Sequence, residues 1–171
     1  MNVLYGLCVA LLLVGAPAHG SSSDPGKVIA GWVEKISLVE PPLVLKAKLD
    51  TGAKTSSIHA INVEPFKKQG DRWVKFDLLL TDVDDKQHTV HMETPRSRRV
   101  RIKDNDGDYD RRAVVELEFC FDGRKHIAEF TLADRSEYIY DVLLGREFLL
   151  GIAVIDPENT FLTQASCPTP R

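Results

Sequence analysis

The chain has 171 residues, with 22 Lys and Arg against 25 Asp and Glu, which gives a formal net charge of −3. This near-balance argues against a nucleic-acid binder that works through a high positive charge, and an apolar content of 43% excludes wholesale disorder. The length suits one ordinary domain but hardly two.

The N-terminal segment has the composition of a secretory leader. Residues 1–14 are apolar almost throughout, and no charged side chain occurs before Asp24. The apolar run is shorter than the roughly 20 residues of a membrane-spanning helix, and small residues follow it. We therefore expect a signal peptide over residues 1–18, a linker over 19–27, and a periplasmic or secreted protein without membrane attachment after cleavage. The alternative is a buried N-terminal helix.

A hydrophobic period of two dominates from Val28 onward and predicts half-buried strands. The alternating runs are Leu43–Leu49, Val74–Leu80 and Val115–Phe121. A tight turn at Asp122-Gly123 predicts a further strand after them, Ile127–Leu132. Further on, we expect a continuous apolar strand, a helical turn or two and two short terminal strands, at Tyr138–Leu144, Arg146–Leu150, Ile152–Ile155 and Phe161–Leu162. The fold class is therefore mainly β, a barrel or sandwich in one domain over residues 28–165, with a tail at 166–171.

Two cysteines follow the predicted leader, Cys120 and Cys167. They could pair in an oxidising compartment. Because Cys120 lies inside an apolar strand pattern, the interpretation that we favour is a buried strand cysteine and an unpaired cysteine near the tail. The sequence has no CxxC motif, so it offers no support for thioredoxin-like chemistry or for a cysteine zinc site.

The motif with the clearest chemistry is Asp50-Thr51-Gly52-Ala53, which directly follows an apolar strand. Two carboxylates that share one proton can activate a water molecule for attack on a peptide carbonyl. The chain has only one Asp-Thr-Gly, so a site of this type requires Asp50 from each of two chains at a twofold axis. The alternative is an ordinary strand-ending turn, in which Asp and Gly are common.

This loop resembles the active-site loop of retropepsin-like aspartic proteases, and Leu143-Leu144-Gly145-Arg146 resembles the hydrophobic-hydrophobic-Gly element that packs beneath it in that family. The segments DTGAKTSSIHA, LADRS and LLGREFL resemble more closely the bacterial group labelled ATP-dependent zinc protease. The sequence supports neither word of that label, because it has no GxxxxGK[ST] phosphate loop and no HExxH motif.

The resemblance implies a retropepsin-like closed barrel with one short C-terminal helix. It also implies a homodimeric aspartic endopeptidase that needs no cofactor, in which Asp50, Thr51 and Gly52 form the catalytic loop and the Thr51 hydroxyl braces the two loops across the dimer axis. Ala53, Lys54 and His59 follow in the same motif, and we expect them to contribute to the substrate site.

Two further clusters could bind metal ions. His88, His91 and Glu93 are the best zinc candidates, but strand alternation places His88 on the opposite face from the other two, so we expect solvated strand histidines and no metal. Asp104–Asp108 resembles a calcium loop, but its glycine is misplaced and the twelfth position is Val115. We expect a hydrated hairpin tip there, near the flap of the retropepsin-like fold.

A basic run, Arg96–Lys103, has five cations in eight residues. One interpretation is a solvated strand face. The other is recognition of an acidic peptide by Arg99 and Arg101, because the planar guanidinium binds carboxylates bidentately. Two other functions stay open: a non-catalytic module that binds an acidic or glutamate-rich partner, and, with weaker support, a zinc-dependent hydrolase.

Overall fold

The computed structural model of the protein describes residues 26–103 and 109–168. The predicted signal peptide at 1–18, most of the predicted linker and the acidic segment Asp104–Asp108 lie outside those residues. Within them, no helix has the length and the apolar character that a membrane span requires.

The described part of the chain contains eleven strands and one four-residue helix. The strands up to the middle of the chain are β1 (Val28–Gly31), β2 (Val33–Leu38), β3 (Val44–Asp50), β4 (Ser56–Lys68), β5 (Asp71–Thr81) and β6 (Gln87–Pro95). The later elements are β7 (Arg98–Lys103), β8 (Tyr109–Phe121), β9 (Arg124–Ala133), β10 (Val142–Gly145), α1 (Arg146–Leu149) and β11 (Ala153–Asp156).

Six of the strands close into a ring in the order β10, β3, β2, β8, β9 and β4, because β10 also pairs with β4. The pairs β3–β10 and β4–β9 are parallel, and the other pairs in the ring are antiparallel. Strands β5 and β6 extend from β4, β7 pairs with β8, and β1 pairs with β11 in a separate parallel ribbon. This closed ring and its short helix confirm the mainly β barrel that the sequence predicts.

The core of the barrel is aromatic where α1 meets it. Phe148, on α1, packs against Phe119 and Phe121 of β8, with ring centroids 5.1 and 5.7 Å apart. Phe130 of β9 adds an edge contact to Phe119. Aromatic pairs at these distances contribute about 0.5–1.5 kcal/mol each beyond the area that they bury. The short helix after Gly145 is therefore anchored in the core despite its length.

The apolar run Tyr138–Leu144 is a strand only from Val142 onward, so the prediction is wrong for its first four residues. The Tyr138 amide donates to the Arg135 carbonyl, and the Arg135 side chain donates to the Tyr140 carbonyl, so this segment forms turns instead of a ladder. Ile139 is 91% exposed at the outside of the turn. Its apolar side chain is available to a partner rather than to the core.

The predicted strand Phe161–Leu162 is also wrong, because residues 159–167 cross the start of β2 as an irregular strap. The Phe161 amide donates to the Val33 carbonyl. The carboxylate of Glu34, which is fully buried, accepts four hydrogen bonds of 2.6–3.1 Å from the amides of Gly31, Leu162 and Thr163 and from the Thr163 hydroxyl. These donors satisfy a buried carboxylate whose role the sequence analysis missed.

The strap ends at a disulfide between Cys120 and Cys167. The interpretation of an unpaired Cys167 is therefore wrong. The Gly123 amide donates to the Gln164 carbonyl at 3.1 Å, so the strap returns to the β8–β9 turn and brings Cys167 to the end of β8. The strand pattern around Cys120 gave no indication of the disulfide, because its partner lies 47 residues away in the sequence.

We expect Cys167→Ser to lower the free energy of unfolding by about 2–4 kcal/mol, because the disulfide closes a loop of 47 residues and restricts the unfolded chain. Urea unfolding of the oxidised protein measures the change. Wild type in reducing buffer is the control and should lose a similar amount. Equal stability of the variant and the oxidised wild type would show that the bond contributes nothing.

Candidate active site

Strands β3 and β10 run side by side in parallel and end together, with Asp50 opposite Gly145. Backbone hydrogen bonds join the segment that follows β3 to the segment that follows β10. The Arg146 amide donates to the Ala53 carbonyl at 2.9 Å, and the Glu147 amide donates to the Lys54 carbonyl at 3.0 Å. The first amides of α1 therefore hold the loop that follows Asp50.

Gly145 allows this close approach because it has no Cβ atom. A Cβ built there would lie 2.5 Å from the carbonyl oxygen of Thr55 and 2.6 Å from its carbonyl carbon, well inside contact distance. The Gly145 amide donates to the Ser56 hydroxyl at 3.1 Å, which fixes the same contact from the other side. The position therefore requires glycine for space.

The Asp50 carboxylate is held at three points. Its Oδ1 accepts the amides of Gly52 at 2.9 Å and Ala53 at 3.2 Å, and its Oδ2 lies 3.1 Å from the Lys48 Nζ. Partial burial raises the pKa of Asp50, but the hydrogen bond from Lys48 and the two amide hydrogen bonds lower it, and the net shift is downward. A single chain therefore presents Asp50 as a carboxylate.

Thr51 and Gly52 form the exposed tip of the loop. Their carbonyl oxygens both accept the Arg146 guanidinium, at 2.8 and 2.7 Å. Arg146 thus stabilises the tip from beneath while the tip itself faces solvent. The role of the Thr51 hydroxyl across a dimer axis stays a prediction.

A cavity of about 400 Å³ lies beside the Asp50 carboxylate, and we call it the Asp50 cavity. Its charged lining residues are Lys48, Asp50, Arg135 and Glu137. Its rim is apolar and open, and the lining residues there are Trp32, Tyr138, Ile139, Tyr140 and Leu143. Exposed apolar groups of this kind are typical of a surface that meets a partner or a ligand.

A second cavity of about 440 Å³, the basic cleft, adjoins the loop at Ala53, Lys54 and Thr55. Among the described residues, five cationic side chains and no acidic side chain line it: Lys54, Arg98, Arg101, Arg112 and Arg135. Arg135 and Leu143 line both cavities, so they form the wall between the two. An acidic peptide is the ligand that this lining favours.

The predicted substrate residues are only partly brought together. Ala53, Lys54 and Arg101 line the basic cleft, whereas Arg99 lines a different cavity that also contains acidic residues. Arg112 and Arg135 were not among the substrate residues predicted from the sequence. They lie on β8 and after β9, and only the closure of the barrel brings them beside the loop.

Comparison with known proteins assigns the family. Residues 29–166 match the model of the RimB-like family, whose description is retropepsin-like aspartic endopeptidase RimB. The chain belongs to this family. The match covers most of the described chain and confirms the resemblance that the sequence analysis drew from the Asp-Thr-Gly loop and the Leu-Leu-Gly element.

A solved structure shares the RimB-like fold of this chain. The crystal structure of a Legionella pneumophila protein of unknown function superposes with a TM-score of 0.67 and 30% identity, covering 80% of this chain and 98% of that one. Two relatives are named probable alpha-L-glutamate ligase. The Shewanella halifaxensis protein is 35% identical over 117 residues and the Desulfotalea psychrophila protein is 34% identical over 137 residues.

The alignments to these ligases cover 68% and 80% of this chain but only 25% and 29% of theirs. The chain therefore spans about a quarter of the length of the relatives, and the ligase name describes those longer proteins. What they share with this chain is the aligned stretch of 117 and 137 residues.

His59 is the one predicted substrate residue that is buried. Its Nδ1 accepts the Arg135 amide at 2.8 Å, and its own amide donates to the Asp141 carbonyl at 2.8 Å. It lines a third cavity, of about 400 Å³, that Arg135 also lines, and it lines neither the Asp50 cavity nor the basic cleft. The geometry places His59 behind Arg135, where it orients the backbone of that residue.

The histidines considered for zinc pair with separate carboxylates. The His88 Nε2 lies 2.7 Å from Asp82 Oδ2, and the His91 Nδ1 lies 2.5 Å from Asp77 Oδ1. The alternation of β6 points the two rings to opposite faces, since His88 is half-buried and His91 is exposed. In the described ranges, no three His, Cys, Asp or Glu side chains are grouped as metal ligands.

We expect Gly145→Ala to destabilise the protein by about 1–3 kcal/mol, because the added methyl group would collide with the Thr55 carbonyl and push the Asp50 loop away. Urea unfolding measures the loss. Gly26→Ala is the matched control, since a Cβ atom there meets nothing within 4 Å. Equal stability of the two variants would contradict the close approach.

We expect Lys48→Met to raise the pKa of Asp50, because it removes a hydrogen bond and a positive charge from the carboxylate. Carboxyl ¹³C NMR titration measures the pKa. The stability that Asp50 contributes exists above its unfolded pKa and is lost as the pH falls through its folded pKa, so this pH-dependent part shrinks in the variant. Lys46→Met is the control. Lys46 lies on the same strand as Lys48 but pairs with Asp85, so its loss should leave the pKa of Asp50 unchanged.

Proposed function

We propose that the protein is an exported aspartic endopeptidase, in which two Asp50 carboxylates, one from each chain of a homodimer, activate the water that hydrolyses a peptide bond. The observation that carries the proposal is the placement of Asp50. Its carboxylate lies at the end of β3, held by the Gly52 and Ala53 amides, and opens into a cavity with a peptide-sized basic cleft beside it. The family match supports the same chemistry.

The reaction needs one ionised and one protonated carboxylate. The ionised one takes a proton from water, the water oxygen attacks the peptide carbonyl, and the protonated one supports the oxyanion that develops. In one chain, Lys48 and the loop amides keep Asp50 ionised. A second Asp50 brought close would repel the first, and the pair would then hold one shared proton.

The surface around Asp50 supports the second chain as the source of the other carboxylate. Thr51 and Gly52 are exposed, and the neighbouring Tyr138 and Ile139 are 63% and 91% exposed. Such apolar groups gain free energy when a partner covers them. The Asp141 carboxylate accepts the Thr81 amide at 2.6 Å and lines the third cavity instead of the Asp50 cavity, so it is not placed as a second catalytic acid beside Asp50.

Glu137 is the other carboxylate that lines the Asp50 cavity, and it offers a matched comparison. It lies on the exposed turn after β9 and makes no ion pair within 4.0 Å with any described residue. A dyad within one chain would need it, whereas a dyad between chains would not.

The substrate class that we propose is an acidic peptide. Four arginines and Lys54 line the basic cleft, and no carboxylate of residues 26–103 and 109–168 lines it. The names of the ligase relatives point to glutamate chemistry in their longer proteins, which fits a cleft of this charge. The proposal of export is supported by the disulfide, since such bonds persist in oxidising compartments.

A non-catalytic module that binds an acidic partner through the basic cleft is the second candidate function. The exposed cations of the cleft favour it as much as they favour a peptidase. The two differ in what Asp50 does, because a binding module does not require its carboxylate.

We expect Asp50→Asn to reduce peptide cleavage at least about 100-fold, since the variant loses the proton acceptor. Glu137→Gln removes a charge from the same cavity and should keep activity within a few-fold of wild type. Profiling of cleavage in a peptide library by wild type and both variants measures the rates and shows whether acidic residues flank the cut.

Two outcomes would contradict this function. Cleavage that persists in purified Asp50→Asn would exclude the dyad. Loss of cleavage in Glu137→Gln, together with an active monomer in analytical ultracentrifugation, would place the dyad within one chain. Binding of acidic peptides by wild type without cleavage of any library member would favour the binding module.

A further inference from the structure

Arg135 is a buried arginine at the start of the turn between β9 and β10. Only 7% of it is exposed. Its Nε donates to the Tyr140 carbonyl at 3.0 Å, its Nη1 donates to the Ser57 hydroxyl at 2.9 Å, and the guanidinium lies 4.7 Å from the centre of the Tyr138 ring. With the His59 contact to its backbone, these neighbours fix the direction of the side chain.

The guanidinium lacks a carboxylate partner among the described residues. Arg98, Arg112 and Arg124 each have one within 4.0 Å, whereas Arg135 has none. Burial lowers the pKa of Arg135, while the hydrogen bond that Arg98 donates to Glu129 raises the pKa of Arg98. An arginine nevertheless stays charged at neutral pH, so among the described residues this buried positive charge has no carboxylate within 4.0 Å, and only the more distant carboxylates of Asp141 and Asp50 act on it.

One edge of the guanidinium remains free. Its Nη2 donates to no described residue, and it is not one of the orphaned polar atoms that are sealed from solvent. The atom is therefore reachable from a cavity. An anion that enters would supply the missing charge and accept a charge-assisted hydrogen bond in surroundings that exclude most water.

The position of Arg135 decides where such an anion would sit. The residue lines both the Asp50 cavity and the basic cleft, with Leu143 beside it in the shared wall. A peptide that runs from the Asp50 carboxylate into the basic cleft must pass this wall. The side chain that meets Arg135 then belongs to a residue next to the bond that is cut.

We propose that Arg135 is the specificity residue of this site and binds the side-chain carboxylate of the substrate residue adjacent to the scissile bond. The proposal rests on the proposed function and assigns one subsite within it. The other cations of the basic cleft are more exposed or already paired, as Lys54, Arg98 and Arg112 are, and they read the overall charge of the peptide. Arg135 binds the side chain at a single position of the substrate peptide.

The test uses binding, so that it does not depend on cleavage. In the Asp50→Asn background, isothermal titration calorimetry compares octaglutamate with eight peptides in which one glutamate at a time is replaced by glutamine. We expect one replacement to weaken binding about tenfold or more. After Arg135→Gln, that position should discriminate less than twofold, while octaglutamate itself binds about tenfold more weakly.

Arg72→Gln is the control for a generic loss of one positive charge, because Arg72 is exposed on β5 and lines none of these cavities. It should lower the affinities of all peptides by a similar small factor. If Arg135→Gln acts in the same uniform way, or if octaglutamate does not bind, the subsite is excluded. If the wild-type protein cleaves no peptide but the position-specific binding is observed, the peptidase function is overturned and the subsite is not.

A second measurement covers the case in which Arg135→Gln does not fold. The Nε–Hε resonance of Arg135 in the Asp50→Asn protein should shift on addition of octaglutamate. It should shift less with the peptide that carries glutamine at the discriminating position. Arg135→Lys keeps the positive charge but not the planar guanidinium. It should therefore show part of the discrimination between peptides that Arg135→Gln loses. Equal shifts with both peptides would overturn the proposal.

Discussion

The close contact between Gly145 and the backbone of Thr55 organises the rest of the site. It brings the end of β10 against the end of β3, so that Asp50 and the first amides of α1 meet. The helix is anchored by Phe148 in the aromatic core, and its amides then hold the loop carbonyls. The position of one carboxylate thus depends on core packing more than 90 residues further along the chain. Because protein interiors are closely packed, a displacement at one residue is transmitted to its neighbours.

The distribution of charge matters more than its sum. The chain is slightly acidic overall, yet five cations converge on one cleft, and no carboxylate in the part of the chain that the structure describes lines it. Electrostatic attraction of an acidic chain depends on this local field. Within the cleft, the cations differ in kind: exposed ones with nearby acidic partners are easily screened by salt, whereas a buried guanidinium is screened little. A long acidic peptide would meet the first kind before it reaches the second.

Local patterns predicted what is local. The alternation of β3, β5 and β8 and the turn at Asp122-Gly123 are confirmed, because half-buried strands and tight turns leave their mark within a few residues. The Asp50 loop was recognised for the same reason. The strand predicted at 138–141 was wrong, because an apolar residue that faces solvent has the same sequence signal as one that faces the core. Ile139 is such a residue.

Long-range contacts could not be predicted from these patterns. Arg135 meets His59 from 76 residues away, and Cys120 meets Cys167 from 47 residues away. Arg135 lies in the LADRS segment that carries the resemblance, but the sequence does not show that this arginine is buried, since an arginine after a strand is ordinary on a protein surface. Its burial, and the lack of a described carboxylate within 4.0 Å of its guanidinium, exist only once the barrel closes. Residues that do their work through distant neighbours have to be found in the structure.

The strap over Glu34 has a consequence for the order in which the protein can fold. Of the four donors to that carboxylate, only the Gly31 amide is close in sequence, and the others lie 128 and 129 residues downstream. Until those residues dock, burying Glu34 would leave a charged group without most of its hydrogen bonds, so the carboxylate must stay in water. Strand β2 carries Glu34 and is a member of the barrel ring. The barrel would then be completed only after residues 162 and 163 have docked on β2.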